Sequence, residues 1–283
     1  MSIQIITDSC CDTTPAITAA LGLKIAPMSV TVDGTKEFSD NGNVDVPALL
    51  AAMKASPKPV ATACSSPEDY AVLMREAEES VVITLSKHLS GSYNSACAAR
   101  DMVLEEFPDK KIIVLNSKTA ACGQTRLAFF LHDLIQGGAT FEEVCEKALP
   151  FIDKIRTFFV LEDLGNLIKN GRIPKMAGML GTVLMLRPIM GENGDGEIIP
   201  LEKVRGTQKA LDRLVEMIKD ATASLTKKSL HMVLTYCNCP ERGAQLKKKL
   251  LEICPAIADV ILVPTGAIST AYANDGGVVL AYA

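Results

Sequence analysis

Apolar residues recur along the chain in two rhythms. Short continuous runs rich in Val, Ile and Leu alternate with longer segments whose apolar positions return every three or four residues. "IQIIT" at the start predicts a strand, and "TTPAITAALG" a helix, with Thr14 as N-cap, Pro15 at the first helical position and Gly22 just past the end. "LKIAPMSVTV" predicts a second strand and "DVPALLAAMKAS" a second helix. "SSPEDYAVLMREAEE" predicts a third helix, capped by Ser66 and acidic in its first turn. "VVITLS" and "KIIVLN" predict strands separated by the helix "GSYNSACAARDMVLEEF", and a further helix runs from Thr119 to about Gln136. Continuous Val/Ile runs between helices point to a parallel sheet covered on both faces.

After the helical segment "TFEEVCEKALPFIDKI" the texture changes. "TFFVLEDL" predicts a strand and "GNLIKNGRIP" a short helix with a glycine stop. "PIMGENGDGEIIPLEKV" sets Asn193-Gly194 and Asp195-Gly196 between two apolar stretches, as a hairpin does. "LHMVLTYCN" with "PERGAQLKKKLLEI", then "DVILVPTG", add further strand and helix units. The expected fold is α/β in two domains. Residues 1–155 form an N-terminal parallel sheet flanked by helices, and residues 156–283 form a C-terminal α+β domain.

Composition narrows the function. At 283 residues and 48% hydrophobic content the chain can bury a large core. A formal net charge of -4 argues against nucleic acid, which asks for a dense basic face. The start "MSIQIITDSCCD" has no cationic lead and meets Asp8 early, unlike a signal peptide, so a cytoplasmic location is expected. The longest uncharged apolar stretch, Met176 to Leu186, falls well short of the ~20 residues that cross a bilayer. Nine scattered cysteines, an odd count, read as reduced thiols. "CNC" at Cys237 and Cys239 is not a zinc spacing, and no metal is expected.

The densest chemistry lies in "LSKHLSGSYNSACAAR", Leu85 to Arg100, where a strand hands over to a helix. Ligands of open parallel α/β sheets bind at the carboxyl ends of strands, where helix N-termini present free N–H groups. Ser86 would end the strand, and Ser90, Gly91 and Ser92 would open the helix. Such a loop suits a carboxylate, or its serines simply cap the helix. A serine hydrolase with His88 as base is the rival, although Ser90 lacks the G-x-S-x-G elbow. His132 and His231 sit among apolar neighbours and read as core or edge residues. Neither a P-loop nor a G-x-G-x-x-G follows any strand, so ATP is not an expected ligand of this chain.

"ITDSCCD", "TACSSPEDY", "SKHLSGSYNSA", "LGNLIKNGRI" and "RPIM…GDGEIIPLEKVRGTQKAL" together resemble, in order and spacing over nearly the whole chain, the DegV family of bacterial fatty-acid-binding proteins. The resemblance implies one long-chain fatty acid held between two domains, its carboxylate at the serine loop and its tail in an apolar tunnel. It also implies a role as the acyl-carrying subunit of a fatty acid kinase, in which a separate ATP-binding subunit forms the acyl phosphate. No cofactor beyond the bound lipid and no catalytic residue in this chain are implied. Thr62 and Ser90 match the family's carboxylate donors, with Gly91 and Ser92 beside them. Tyr272 stands where the family often has histidine; it can donate a hydrogen bond but cannot become cationic near neutral pH. Arg172 matches the family's Gly-Gly-Arg segment, with Asn170 in place of the first glycine, and both Arg172 and Arg205 are expected to face the kinase partner.

Physical chemistry asks for the same parts. A buried carboxylate needs convergent donors, and a tail gains ~0.8 kcal/mol per buried methylene. Met176, Met179, Leu180 and Met185 either line such a tunnel or pack an ordinary core. Asp8 and Ser9 either cap the first strand–helix turn or support the cleft. A serine hydrolase of acyl esters using the same pocket is the alternative function.

Overall fold

The computed structural model describes residues 3–40, 42, 44–173, 176, 186–225 and 228–283. Among these residues the strands form three sheets. The first is wholly parallel: β1 (Gln4–Asp8), β2 (Lys24–Ala26), β6 (Glu79–Thr84) and β7 (Lys111–Asn116), in the order β2-β1-β6-β7. Its central strands β1 and β6 are buried on both faces, as their unbroken apolar runs require. Ile6, Val82 and Val114 pack against Tyr70, Met74 and Val103 of α3 (Pro67–Arg75) and α4 (Ser92–Glu106). Ile5, Val81 and Ile83 point the other way, onto Leu127 and Leu131 of α5 (Cys122–Gln136).

The second sheet has six strands, in the order β10-β9-β8-β13-β11-β12. They are β8 (Arg156–Val160), β9 (Leu186–Glu192), β10 (Ile198–Arg205), β11 (Leu230–Tyr236), β12 (Ile257–Pro264) and β13 (Val278–Tyr282). All pairings are antiparallel except β11 with β12. One face is covered by α8 (Thr207–Ala221) and α9 (Pro240–Ile253). The other meets α5: Val233, Val263 and Ala281 share a core with Leu127 and Leu131, so α5 is the layer between the two sheets. Helix α6 (Phe141–Ile152) completes that core through Val144, Ala148 and Ile152.

Local signals formed as the sequence dictates. Thr14 caps α1 (Pro15–Leu21) by accepting from the Ile17 amide, and Gly22 ends it at φ 61, ψ 32, a left-handed geometry that costs glycine nothing. Ser66 and Asp69 close a capping box on α3, and Asp45 caps α2 (Val46–Ala55). The hairpin at Asn193–Glu197 joins β9 to β10 as expected.

The expectation of one strand over "LKIAPMSVTV" is corrected. Pro27, with no N–H to give, divides the run into β2, in the parallel sheet, and β3 (Met28–Val32), in a third sheet of order β4-β3-β5 with β4 (Lys36–Asp40) and β5 (Ala61–Ala63). Helices α8 and α10 (Ala267–Ala273) and strand β13 were not among the elements predicted from the sequence.

Candidate functional site

The loop after β6 carries the serines, and its path is fixed from beneath. Asp8, buried at the end of β1, accepts from the Leu85 amide at 2.7 Å, from Gln124 at 2.9 Å and from the Cys10 amide at 3.2 Å. Burial pushes its carboxyl up to about 6, against the lowering effect of these bonds. Asp8 thus supports the cleft rather than merely capping a turn, and Ser9 does likewise by accepting from the Met28 amide at 3.0 Å.

Within the loop, Ser90 and Ser92 share a hydrogen bond of 2.9 Å, and Ser90 Oγ accepts from the Ser92 amide at 3.2 Å. Ser90 therefore serves the helix start while remaining half-buried, and Ser92 is buried. Gly91 packs against Cys64, whose Sγ would lie 3.4 Å from a Cβ at that position. His88 does not meet Ser90: its Nδ1 lies 3.9 Å from Glu197 on the facing hairpin, so no nucleophile–base pair is assembled here.

Two more elements complete the site. Helix α10 is held by carboxylates at its start: Asp12 accepts from the Gly266 amide at 2.9 Å, and Asp40 from the Ala267 and Ile268 amides at 2.9 and 3.1 Å. From this anchored helix Tyr272 reaches Thr62 on β5, with 2.8 Å between hydroxyl oxygens. The Arg172 guanidinium lies over the Tyr272 ring at 5.6 Å and donates to the Leu89 carbonyl at 3.1 Å, tying the serine loop to α10. Arg172 follows α7 (Gly165–Lys169), which Asn166 links to α10 by donating to the Ala271 carbonyl at 2.8 Å.

Leu89, Arg172 and Tyr272 also line an apolar cavity of about 800 Å3, a volume that includes space open to solvent. The remaining wall comes from the six-stranded sheet, through Phe159 and Val279, from α7 through Leu167, and from the segments after β6 and β8 through Leu85 and Leu161. Its floor includes the loop between β7 and α5, where Lys118 and Ala121 hold φ of 55 and 54, left-handed values that non-glycine residues rarely adopt. The hairpin tip closes against the serine loop: Ser86 donates to the Gly196 carbonyl at 2.8 Å.

The structure brings Thr62 and Tyr272 into contact and sets Ser90, Gly91 and Ser92 in the loop that Arg172 ties to Tyr272. Arg172, expected to face the kinase partner, lies on the cavity wall, and Arg205 is exposed at the end of β10. Met176 is buried with Leu167, Phe159 and Met190 in a core cluster rather than on the cavity wall. Met179, Leu180 and Met185 lie outside the described residues. The sequence reading missed Phe159, Leu161 and Val279, which it saw only as strand interior or did not read, and Ser269, which carried no motif. Among the described residues no cluster suited to a metal ion forms, no disulfide forms, and no helix is long and apolar enough to cross a membrane.

Known proteins share this fold. A DegV domain-containing protein of Streptococcus pneumoniae is 31% identical over 284 residues, covering 100% of this chain and 99% of its own. A DegV family protein from Ruminococcus gnavus, solved with vaccenic acid, superposes with a TM-score of 0.90 at 35% identity over 99% of both chains. The Streptococcus pneumoniae fatty acid kinase B3 protein, solved with linoleic acid, superposes with a TM-score of 0.88 at 31% identity over 100% of this chain and 99% of that one. The family model described as "Uncharacterised protein, DegV family" matches residues 2–283, and the chain belongs to the DegV family.

Proposed function

We propose that this chain is a non-catalytic carrier. It holds one long-chain fatty acid between its 1–155 and 156–283 parts and presents the carboxylate to a separate ATP-binding kinase subunit, which converts it to an acyl phosphate in the cytoplasm. The observation that carries the reading is the apolar cavity whose wall includes Tyr272, Arg172 and Leu89, with Thr62 bonded to Tyr272 and the Ser90–Ser92 hydroxyls next to this wall rather than on it. A carboxylate there meets hydroxyl donors and a guanidinium, while a tail in the cavity gains on the order of 10 kcal/mol gross for a chain of common length. The bound vaccenic and linoleic acids of the similar structures support the ligand class, and the kinase B3 relative supports the partner.

Organic extraction of purified protein followed by mass spectrometry tests the carrier step, with roughly one long-chain fatty acid per chain expected from such a pocket. Recovery of no acyl chain from well-folded protein counts against it. The kinase step is tested by adding the cognate ATP-binding subunit: acyl phosphate should form only with both proteins and ATP. Turnover of a chromogenic acyl ester by this chain alone would favour the hydrolase instead.

A further inference from the structure

Four hydroxyl-bearing side chains line the cavity: Thr119, Thr157, Ser269 and Tyr272. Three of them are paired within the protein. Thr119 and Thr157 bond each other at 2.7 Å, and Tyr272 bonds Thr62 at 2.8 Å. Ser269 Oγ has no hydrogen-bond partner among the described residues, although the residue is only 7% exposed. Behind it, Asp12 Oδ2 and Thr235 Oγ1 also lack partners, in residues 1% and 0% exposed. Both hydroxyls lie close enough to Asp12 to lower its carboxyl pKa, yet neither makes a hydrogen bond of normal geometry with it. Ser269, on the cavity wall, thus stands in front of two further buried oxygens, and each unsatisfied group of this kind carries a penalty that a polar occupant removes.

The chemistry of the niche selects its occupant. Asp12 is flanked by Asp40, and Asp8 lies close by, so a second carboxylate is repelled and the fatty-acid head group belongs at Thr62 and Tyr272 instead. A neutral hydroxyl fits: it accepts from Ser269 or Thr235 and donates to Asp12 Oδ2. Water can do the same, and a hydroxyl carried by the ligand replaces that water without losing its bonds. Its place along the ligand follows from α10. Ser269 and Tyr272 are three residues apart on one helix face, with Cβ atoms about 5–6 Å apart, so the hydroxyl falls a few carbons from the carboxylate.

We propose that the Asp12–Thr235–Ser269 niche is a binding subsite for a hydroxyl group near the carboxyl end of the acyl chain, making 3-hydroxy fatty acids preferred ligands. This rests on the fatty-acid reading of the cavity and names its substrate class.

The test is a binding titration of delipidated full-length protein with hexadecanoic acid, 3-hydroxyhexadecanoic acid and 12-hydroxyoctadecanoic acid. The 3-hydroxy acid should bind roughly fivefold more tightly than hexadecanoic acid, the size of one net hydrogen bond, and the 12-hydroxy acid should show no gain. Ser269→Ala should bring the ratio of 3-hydroxy to plain affinity to one, whatever it does to either alone, and the isosteric Thr235→Val should reduce it. Equal affinities in the wild-type protein, or a preference that survives Ser269→Ala, overturn the niche and leave the carrier reading standing. Failure of every acid to bind overturns both.

Discussion

Tyr272 and Thr62, 210 positions apart in the chain, bring their hydroxyl oxygens to 2.8 Å, joining α10 to the short strand β5 at the head of the cavity. One hydroxyl of the pair donates to the other, which keeps a proton for a third group. Tyr272→Phe and Thr62→Val should each weaken fatty-acid binding by about 1–2 kcal/mol, because a donor to a charged group is lost. Isothermal titration reads the change; unaltered affinity in both variants would place the carboxylate elsewhere.

Ser90 and His88 separate carrier from hydrolase. Ser90→Ala should lower fatty-acid affinity by about 1–2 kcal/mol, whereas His88→Ala, whose ring faces Glu197, should change it far less. Neither protein should cleave a chromogenic ester. A His88-dependent esterase rate would reverse the assignment.

The two arginines should now behave differently. Arg205→Ala, at an exposed strand end, should leave bound acyl chain in place and slow acyl-phosphate formation with the kinase subunit. Arg172→Ala should reduce fatty-acid occupancy as well, since it removes both the charge beside Tyr272 and the link to the Leu89 carbonyl. Occupancy and phosphorylation measured on the same preparations decide between a shared role and separate ones.

Asp12 should leave a mark on stability. Burial raises its carboxyl to about 7 from an ordinary 3.8. The folded state therefore binds more protons than the unfolded state between these values, so Asp12 favours folding at low pH and that contribution is lost as pH rises from about 4 to about 7. Asp8, raised to about 6, acts in the same direction. The exposed Glu106, lowered by Arg75, acts oppositely and only near or below 4.5. Asp12→Asn keeps an acceptor for the Gly266 amide and removes the ionisation, so its melting temperature should fall less than that of wild type between pH 5 and pH 7.5. Parallel curves would show that Asp12 does not titrate in this range.

Gly196 occupies a position closed to side chains. It holds φ +90, and a Cβ there would stand 2.5 Å from Ser86 Oγ and 2.8 Å from Lys118 Cα. Gly196→Ala should destabilise the protein by about 1–3 kcal/mol, from backbone strain and displacement of the hairpin tip. Chemical denaturation measures it.

What the sequence made legible was local. Thr14, Pro15 and Gly22 bracket a helix within ten positions, Ser66 and Asp69 box another, and paired glycines mark the hairpin; in each case a residue satisfies its own neighbours' backbone. The contents of the serine loop were legible for the same reason. The third sheet was not, because its middle strand continues an apolar run that only Pro27 interrupts, and β5 has just three residues, Ala61–Ala63. Nor was the meeting of Asp12, Thr235 and Ser269, which join β1's following loop, β11 and α10 across more than 200 positions and follow no spacing rule. The contacts of Arg172 were not legible either, since they depend on the Leu89 carbonyl and the Tyr272 ring rather than on its own segment.

The left-handed backbone at Lys118 and Ala121 has a consequence for how the cavity takes up its guest. Each such residue costs of order 1 kcal/mol, and it persists only where surrounding contacts leave the chain no alternative. Here the Ser86 amide donates to the Thr119 carbonyl, and the Ser117 hydroxyl, itself bonded to that carbonyl, accepts from the Thr119 amide. A floor built this way is shaped before any lipid arrives. In the fatty-acid reading proposed above, the ordering cost of association falls chiefly on the acyl chain, so a stiffer chain should lose less freedom than a supple one.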